Sequence, residues 1–309
     1  MLLASRLTRR FGDRLAIDDV DFEIGRGEVF GLLGPNGAGK TTTLRILGGL
    51  ILPDSGHVAV DGVRIDSGTA DRLRRRIGFL TETPGLWEQL TVLDNMRTYA
   101  KLFHVADVRG SVERLLRHFD LWDRRSDRAA LLSKGMKQKL ALARALVHDP
   151  DVVLLDEPTA NLDPETSRSV RELIIDLRDR GCAVIVSTHN LDEVERVATR
   201  LGLISTRLIT VGEPAALRRE LFGRRLRITL ASNGIGVSSF ASVAARHGAQ
   251  GIHENGSVLT MRLEDPDRDA PIIIGALIAA GAAIREARDE EPTLEELYLK
   301  LLERGLAGV

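Results

Sequence analysis

The chain has 309 residues, with 43 Lys and Arg against 44 Asp and Glu, 7 His and 1 Cys. Its length suits one large domain or two ordinary ones, and a composition 43% apolar and 28% charged is a globular mix able to bury a core. A net charge of −1 excludes the broad basic excess of a nucleic-acid coat or an anionic-membrane binder, and the lone Cys182 excludes a disulfide framework or a multi-cysteine zinc site.

The opening MLLASRLTRRFGD has no long apolar run after a basic start and does not read as a secretory signal. Over residues 1–220, short apolar runs alternate with longer periodic segments, the rhythm of a mostly parallel α/β sheet. Val29 to Leu33 reads as a strand, followed by a glycine-rich turn and a helix from Lys40 to Leu47. His57-Val-Ala-Val-Asp61-Gly62-Val-Arg-Ile carries an Asp-Gly hairpin signal, which predicts an antiparallel β patch beside the main sheet. Between Pro84 and Pro150 strand signals vanish. Thr91 to Phe103, Asp107 to Phe119 and Ser133 to Val147 read as helices, a helical insert over residues 84–150. Val152 to Leu155 and Ala183 to Val186 are continuous apolar runs, as expected of strands covered on both faces. Cys182 reads as a buried small apolar residue.

Past Pro214 the pattern changes. Arg224 to Leu230, Val258 to Leu263 and Ala282 to Ala287 read as short strands, with helices at Val237–His247 and Ala270–Ala280. A terminal helix from Glu295 to Arg304 opens after Pro292-Thr293. These segments predict a separate small α+β domain, residues 221–309. The most apolar run, Pro271 to Ile284, is broken by two glycines and falls short of the ~18 continuous apolar residues of a spanning helix. It reads as a buried amphipathic helix running into a strand.

Gly34-Pro35-Asn36-Gly37-Ala38-Gly39-Lys40-Thr41-Thr42 matches G-x-x-x-x-G-K-[ST], placed between a strand and a helix as its mechanism requires. The glycines let the backbone wrap phosphate oxygens with successive N–H groups pointing inward, and the helix aims its positive end at the same place. Lys40 would neutralise the β- and γ-phosphates, and the Thr41 hydroxyl would hold Mg²⁺. Asp156 and Glu157 end a buried strand on its carboxyl side, where doubly wound sheets place ligands. Asp156 would hold Mg²⁺, and Glu157 would act as general base on the attacking water. His189 follows a second core strand to the same edge and would sense the γ-phosphate.

Leu132-Ser133-Lys134-Gly135-Met136 runs into Lys-Gln-Lys-Leu-Ala-Leu-Ala-Arg-Ala-Leu. Ser133 is a good N-cap, and the helix behind it presents free N–H groups and positive dipole to an anion, with Lys134 and Lys137 adding charge. This stretch resembles the LSGGQ signature of ATP-binding cassette (ABC) proteins and lies shortly before the Asp156-Glu157 strand, as in that family. The resemblance covers residues 1–220 and implies an α/β P-loop NTPase cassette with a parallel core sheet, an antiparallel patch and a helical insert. It further implies that Ser133, Lys134, Gly135 and Met136 complete the nucleotide site of the opposing subunit in a head-to-tail dimer. By the same resemblance Phe11 stacks on adenine, Thr42 supplies the second hydroxyl of the cradle, Asn161-Leu162-Asp163 forms the partner-contacting D-loop, and His189 is the switch histidine.

Two departures stand out. The family's Q-loop glutamine, which faces metal and water, aligns with Glu82, whose ionised carboxylate accepts but cannot donate. The signature carries Lys134 and Met136 where Gly and Gln are commoner. These features, with the tail Glu291-Pro-Thr-Leu-Glu-Glu-Leu-Tyr298, look similar to bacterial multidrug, antibiotic-resistance and sodium exporters.

The expected activity is MgATP hydrolysis by a nucleotide-binding subunit that powers a separately encoded membrane permease, an exporter. Its partners would be a second copy or a paired ATPase subunit and the permease, with no nucleic acid. It would lie in the cytoplasm, on the inner face of the cell membrane through the permease. The insert, with Glu82 at its root, would carry the coupling surface; Leu86 and Trp87 near its start would either contact a coupling helix or pack in the core. One alternative is a soluble ABC ATPase acting on nucleic acid or the ribosome, disfavoured by a single cassette, no long coiled-coil insert and no net basicity. Another is a poorly hydrolysing ATP-binding regulatory module, disfavoured by intact Lys40, Asp156, Glu157 and His189. A GTPase would want an Asn-Lys-x-Asp guanine reader, and no Asn-Lys pair occurs.

Overall fold

In the computed structural model, residues 1–231 and 237–307 are described, with side chains to residue 303. The chain opens with an antiparallel hairpin, β1 (Leu2–Phe11) and β2 (Arg14–Ile24). Next, β3 (Val29–Leu33) runs into α1 (Lys40–Leu47). β4 (Ser55–Val60) and β5 (Val63–Arg64) form the Asp-Gly hairpin, with φ of +47° at Asp61 and +77° at Gly62, as a type I′ turn demands. α2 (Ala70–Arg74) leads to β6 (Ile77–Leu80). The helical insert follows: α3 (Val92–Leu102), α4 (Val108–His118), a 3₁₀ turn at Ala129–Leu131 and α5 (Lys134–Leu146). Thr91, Asp107 and Ser133 cap its three helices, each side chain accepting from the backbone N–H three residues on. The chain returns through β7 (Val152–Asp156), α6 (Pro164–Asp179), β8 (Ala183–Thr188), α7 (Leu191–Val197), β9 (Arg200–Ser205) and β10 (Arg207–Gly212).

Strand order in the main sheet is β10-β9-β3-β8-β7-β6, parallel except for β10, and a second, antiparallel sheet has order β2-β1-β4-β5. Period-two alternation along the buried strands feeds two cores. Val153, Leu155, Val184 and Val186 face the insert and α6, while Val152, Leu154, Ala183 and Ile185 face α1 and the antiparallel sheet. Phe22 of β2 stacks on Phe30 of β3 at 4.9 Å, joining the two sheets. Because β3, β8, β7 and β6 are parallel neighbours, their carboxyl ends share one edge, and the chemistry-bearing loops leave from there.

Contacts divide the chain into Met1–Gly212 and Glu213–Val309, whereas the sequence pattern put the break after 220. The second unit runs α8 (Pro214–Phe222), β11 (Arg224–Leu230), α9 (Val237–Arg246), β12 (Gln250–Asn255), β13 (Val258–Leu263), α10 (Pro266–Ala279), β14 (Ile284–Glu290) and α11 (Leu294–Ala307). Strands β11 to β14 form an antiparallel sheet of order β12-β13-β11-β14, which with α9 and α10 is a split β-α-β arrangement. Three sequence expectations need correcting. β12 was not foreseen, because Gln250–Asn255 is a polar edge strand. β14 begins at Ile284 rather than Ala282. Helix α10 buries Ile273 and Leu277 but leaves Ile272 and Ile278 exposed. Among the described residues, no helix is long and apolar enough to cross a membrane.

Candidate functional site

The turn after β3 is built by close approach. A Cβ at Gly34 would lie 2.3 Å from the Ile204 carbonyl oxygen of β9, and one at Gly39, whose φ is +104°, would lie 2.7 Å from the Ala16 carbonyl oxygen. Only glycine fits either position. Gly39 is also the N-cap of α1 and supplies no side-chain cap, so the first-turn N–H groups remain for another acceptor.

A cavity of about 620 Å³ opens beside this turn. Pro35, Asn36, Gly37, Gly39, Lys40, Thr41 and Thr42 line it from the turn, Asp156 and Glu157 from β7, His189 from the end of β8, Glu82 from the loop after β6, Asn161 from the loop before α6, and Phe11 from the end of β1. Residues drawn from these six places in the chain thus converge on one space. Gly34 and Ala38, expected in the same group, do not line it: Gly34 abuts β9, and Ala38 is buried in the core beneath the turn.

Lys40 is 7% exposed, and its Nζ donates to the Gly34 carbonyl at 2.6 Å and the Pro35 carbonyl at 3.3 Å. Burial is the largest influence on this ammonium and lowers its pKa, while the carboxylates of Glu157, Asp156 and Glu82 resist. The carboxylates are themselves held. Ser187 Oγ donates to Asp156 Oδ1 at 2.5 Å, Thr188 Oγ1 donates to Glu157 Oε2 at 3.1 Å, and His189 Nδ1 lies 2.9 Å from Glu157 Oε1. Glu157 is 11% exposed at its side chain and His189 is 63% exposed. Phe11 is exposed at the mouth, with the Arg9 guanidinium 5.0 Å from its ring centroid. Among the described residues no three His, Cys, Asp or Glu side chains gather into a metal cluster.

The signature residues Ser133, Lys134, Gly135 and Met136 do not line this cavity. Ser133 Oγ accepts from Met136 N at 3.2 Å as the cap of α5. A Cβ at Gly135 would come within 3.0 Å of Thr166 Oγ1 and 3.5 Å of Asp163 Oδ2, so this turn rests on the cap of α6. Asp163 is that cap, and the Thr166 N–H and hydroxyl bonds hold its carboxyl below the usual range. Leu162 and Asp163 do not line the cavity, whereas Asn161, with φ of +58°, does.

Sequence reasoning passed over several residues. Arg14, Ala16 and Ala160 also line the cavity. Ser187 and Thr188 hold the two acids, and two polar residues closing an otherwise apolar strand were the available signal. Gln138, buried on α5, donates to the Pro158 carbonyl at 2.8 Å and so ties the signature helix to the loop that carries Asn161. Cys182, expected buried, is half-buried, with its thiol pushed up by burial.

Residues 17–160 match the family model described as ABC transporter. The chain is 29% identical over 315 residues to the linearmycin resistance ATP-binding protein LnrL of Bacillus subtilis (strain 168), covering 99% of each chain. It is 40% identical over 218 residues to the Nod factor export ATP-binding protein I of Burkholderia orbicola (strain AU 1054), covering 70% of this chain and 71% of that one. The protein of the same name from Rhizobium meliloti (strain 1021) is 32% identical over 303 residues, 97% of this chain and 87% of the relative. Among solved structures, an ATP-binding subunit of an ABC transporter is 30% identical with a TM-score of 0.67, covering 77% of this chain and 97% of its own. A dimeric ATP-binding cassette in a post-hydrolysis state, bound to ADP and Pi, is 27% identical with a TM-score of 0.63, covering 69% and 98%.

Proposed function

Because the chain belongs to the ABC transporter family of ATP-binding proteins, we propose that it hydrolyses MgATP as one half of a nucleotide-sandwiching dimer and so drives a separate export permease. The carrying observation is the convergence of Lys40, Thr41, Glu82, Asp156, Glu157 and His189 on one cavity beside a glycine turn and a helix N-terminus. Lys40 and the α1 N–H groups would bind the phosphates, and Phe11 at the mouth would cover the base. The oxygen set of Thr41, Asp156 and Glu82 fits Mg²⁺, a hard cation held by one or two carboxylates together with substrate phosphates. That ion would supply charge neutralisation at the transferred phosphoryl group. Glu157, with His189 and Thr188 fixing its two oxygens, would accept the proton of the attacking water.

Signature residues outside their own cavity suit service to the partner's nucleotide, as the dimeric cassettes among the structural neighbours suggest. For the permease, the root of the helical insert offers a groove of about 290 Å³ lined by Leu50, Phe79, Tyr99, Phe103 and His148. Trp87, 43% exposed, sits beside Tyr99 at 5.1 Å. An aromatic groove of this kind fits an amphipathic helical segment. This partner would hold the protein on the inner face of the membrane. The exporters among the relatives suggest the direction of transport.

The test is a crosslink in the otherwise complete protein. With Cys182→Ser as background, Ser133→Cys and Asn36→Cys should join two copies when MgATP is present and hydrolysis is blocked by Glu157→Gln. Phosphate release by the unmutated protein is measured alongside. If no liganded condition yields the crosslink, the sandwich is wrong.

A further inference from the structure

The loop after β6 carries Glu82 between two anchors of different origin. On one side Leu80 is paired in the parallel sheet with Leu155 of β7. On the other, the Arg144 guanidinium of α5 donates to two successive carbonyls, Nη2 to Pro84 and Nη1 to Gly85, both at 2.7 Å. Those carbonyls lie two and three residues beyond Glu82, so the intervening chain can span only about 7–11 Å. Arg144 is 6% exposed and reaches across 59 and 60 residues to make these bonds. Its guanidinium also lies 4.5 Å from the Tyr99 ring centroid. Burial lowers its pKa, and no carboxylate figures among the influences on it. A buried cation held by carbonyls and an aromatic face is an expensive way to fill space, since an apolar side chain of similar volume packs there at less cost.

The same segment is fastened again just downstream. Asn95, fully buried on α3, accepts from Trp87 N and donates to the Trp87 carbonyl, each at 3.0 Å. Lys137 of α5 pairs with Glu88 at 2.7 Å. From Pro84 onward the loop is therefore fastened to the insert, and Thr81 to Thr83 bridge it to the sheet.

We propose that Arg144 is a positioning residue for hydrolysis, transmitting displacement of the signature helix to Glu82 through the Pro84 and Gly85 carbonyls. This rests on the ATPase reading above and adds a residue that touches neither nucleotide nor metal. Both Arg144 and Gly85 also border the aromatic groove, so an occupant of that groove would act on the same two bonds.

The experiment uses the full chain carrying Arg144→Met, which keeps the packing under Tyr99, and Arg144→Lys, whose single Nζ cannot hold both carbonyls as the planar fork does. MgATP turnover and KM are measured for each, alone and combined with Glu82→Ala. Misplacement of a reacting group by about 1 Å costs up to about 100-fold. Arg144→Met should therefore lower kcat at least tenfold with KM within about twofold, and Arg144→Lys should recover part of the loss. Combined with Glu82→Ala it should cost no more than the larger single change, since both act through one carboxylate. Trp87 emission in a Trp122→Phe background gives a second readout. Its response to MgATP should be present with Arg144 and lost with Arg144→Met. Multiplicative losses in the double variant, or unchanged kcat in Arg144→Lys, would overturn the assignment. Absence of phosphate release by the unmutated protein would overturn the ATPase reading and this inference together, and is distinguished because the wild-type measurement alone reveals it.

Discussion

Glu157→Gln isolates the proton acceptance proposed for this residue from its other contacts. Glutamine keeps the shape, and its amide oxygen still accepts the Thr188 hydroxyl that lies 3.1 Å from the carboxylate. What disappears is the basic oxygen beside His189 Nδ1 at 2.9 Å. General-base catalysis contributes about 10²–10⁴-fold, or about 3–5 kcal/mol of barrier. With the side chain 11% exposed, bulk water is a poor substitute, so the loss should fall near 10³-fold or above. Nucleotide affinity should hold or rise, because Glu157 is one of three carboxylates acting on Lys40 and its loss reduces repulsion against phosphate. Single-turnover phosphate release gives the rate, fluorescent-nucleotide titration gives the affinity, and size-exclusion with MgATP should show the variant accumulating as a dimer. Glu157→Asp, which keeps the charge but retracts it by about 1.5 Å, should also be slow. Turnover of Glu157→Gln within about threefold of wild type would remove Glu157 from the general-base role.

Other substitutions test neighbouring parts of the site and fold. Lys40→Met should weaken MgATP by about ten- to a hundredfold, from the loss of charge-assisted hydrogen bonds worth ~1.5–3 kcal/mol, while the melting temperature holds or rises because a desolvated ammonium is gone; unaltered affinity in a nucleotide titration would contradict the cradle. Phe11→Ala should cost about 5–30-fold in affinity if the ring stacks on adenine, with Phe11→Tyr preserving it, and equal affinity across all three would return Phe11 to a surface role. His148, half-buried with its ring 4.1 Å from Phe103, has a pKa lowered chiefly by burial, against the Ile77 carbonyl and Asp149. Below about pH 6.5 the unfolded chain binds a proton that the folded chain refuses, so stability should be full above that pH and fall as pH drops toward the folded value. Melting curves should show His148→Phe losing that part of the slope, and an identical slope in the variant would contradict the burial.

What could be read from the chain follows from what is local in it. The strands Val29–Leu33, Val152–Asp156 and Ala183–Thr188 were legible because strands covered on both faces become unbroken apolar runs, and the phosphate turn was legible because its glycines, lysine and threonines are contiguous. The β1–β2 hairpin was not. Its ten-residue first strand carries three arginines and shifts register three times against β2, which blurs the period-two signal. Residues that act across the fold were also invisible: Ser187 meets Asp156 across 31 residues, Gln138 meets Pro158 across 20, and Arg144 meets Gly85 across 59. Each belongs to an otherwise ordinary strand or helix pattern, and its partner is set by packing alone.

The turn that leaves β7 brings two adjacent acids into one space. Had β7 continued past Asp156, strand alternation would turn the next side chain to the opposite face, yet Asp156 and Glu157 both line the cavity. The chain resolves this at Glu157 itself, whose φ is +49°, a left-handed conformation that costs a non-glycine residue about 1–2 kcal/mol. The turn persists because it is over-determined. Glu157 N donates to the Ser187 carbonyl at 2.9 Å, and Thr188 and His189 engage both carboxylate oxygens. β8 thus acts as a template: Ser187 and Thr188 at its end and His189 just beyond hold in place Asp156, the last residue of β7, and Glu157 after it. A glycine at 157 would relieve the strain and abolish the base. The strained glutamate marks a position where backbone comfort gives way to aligning two adjacent carboxylates, the arrangement that the proposed metal and general-base roles require.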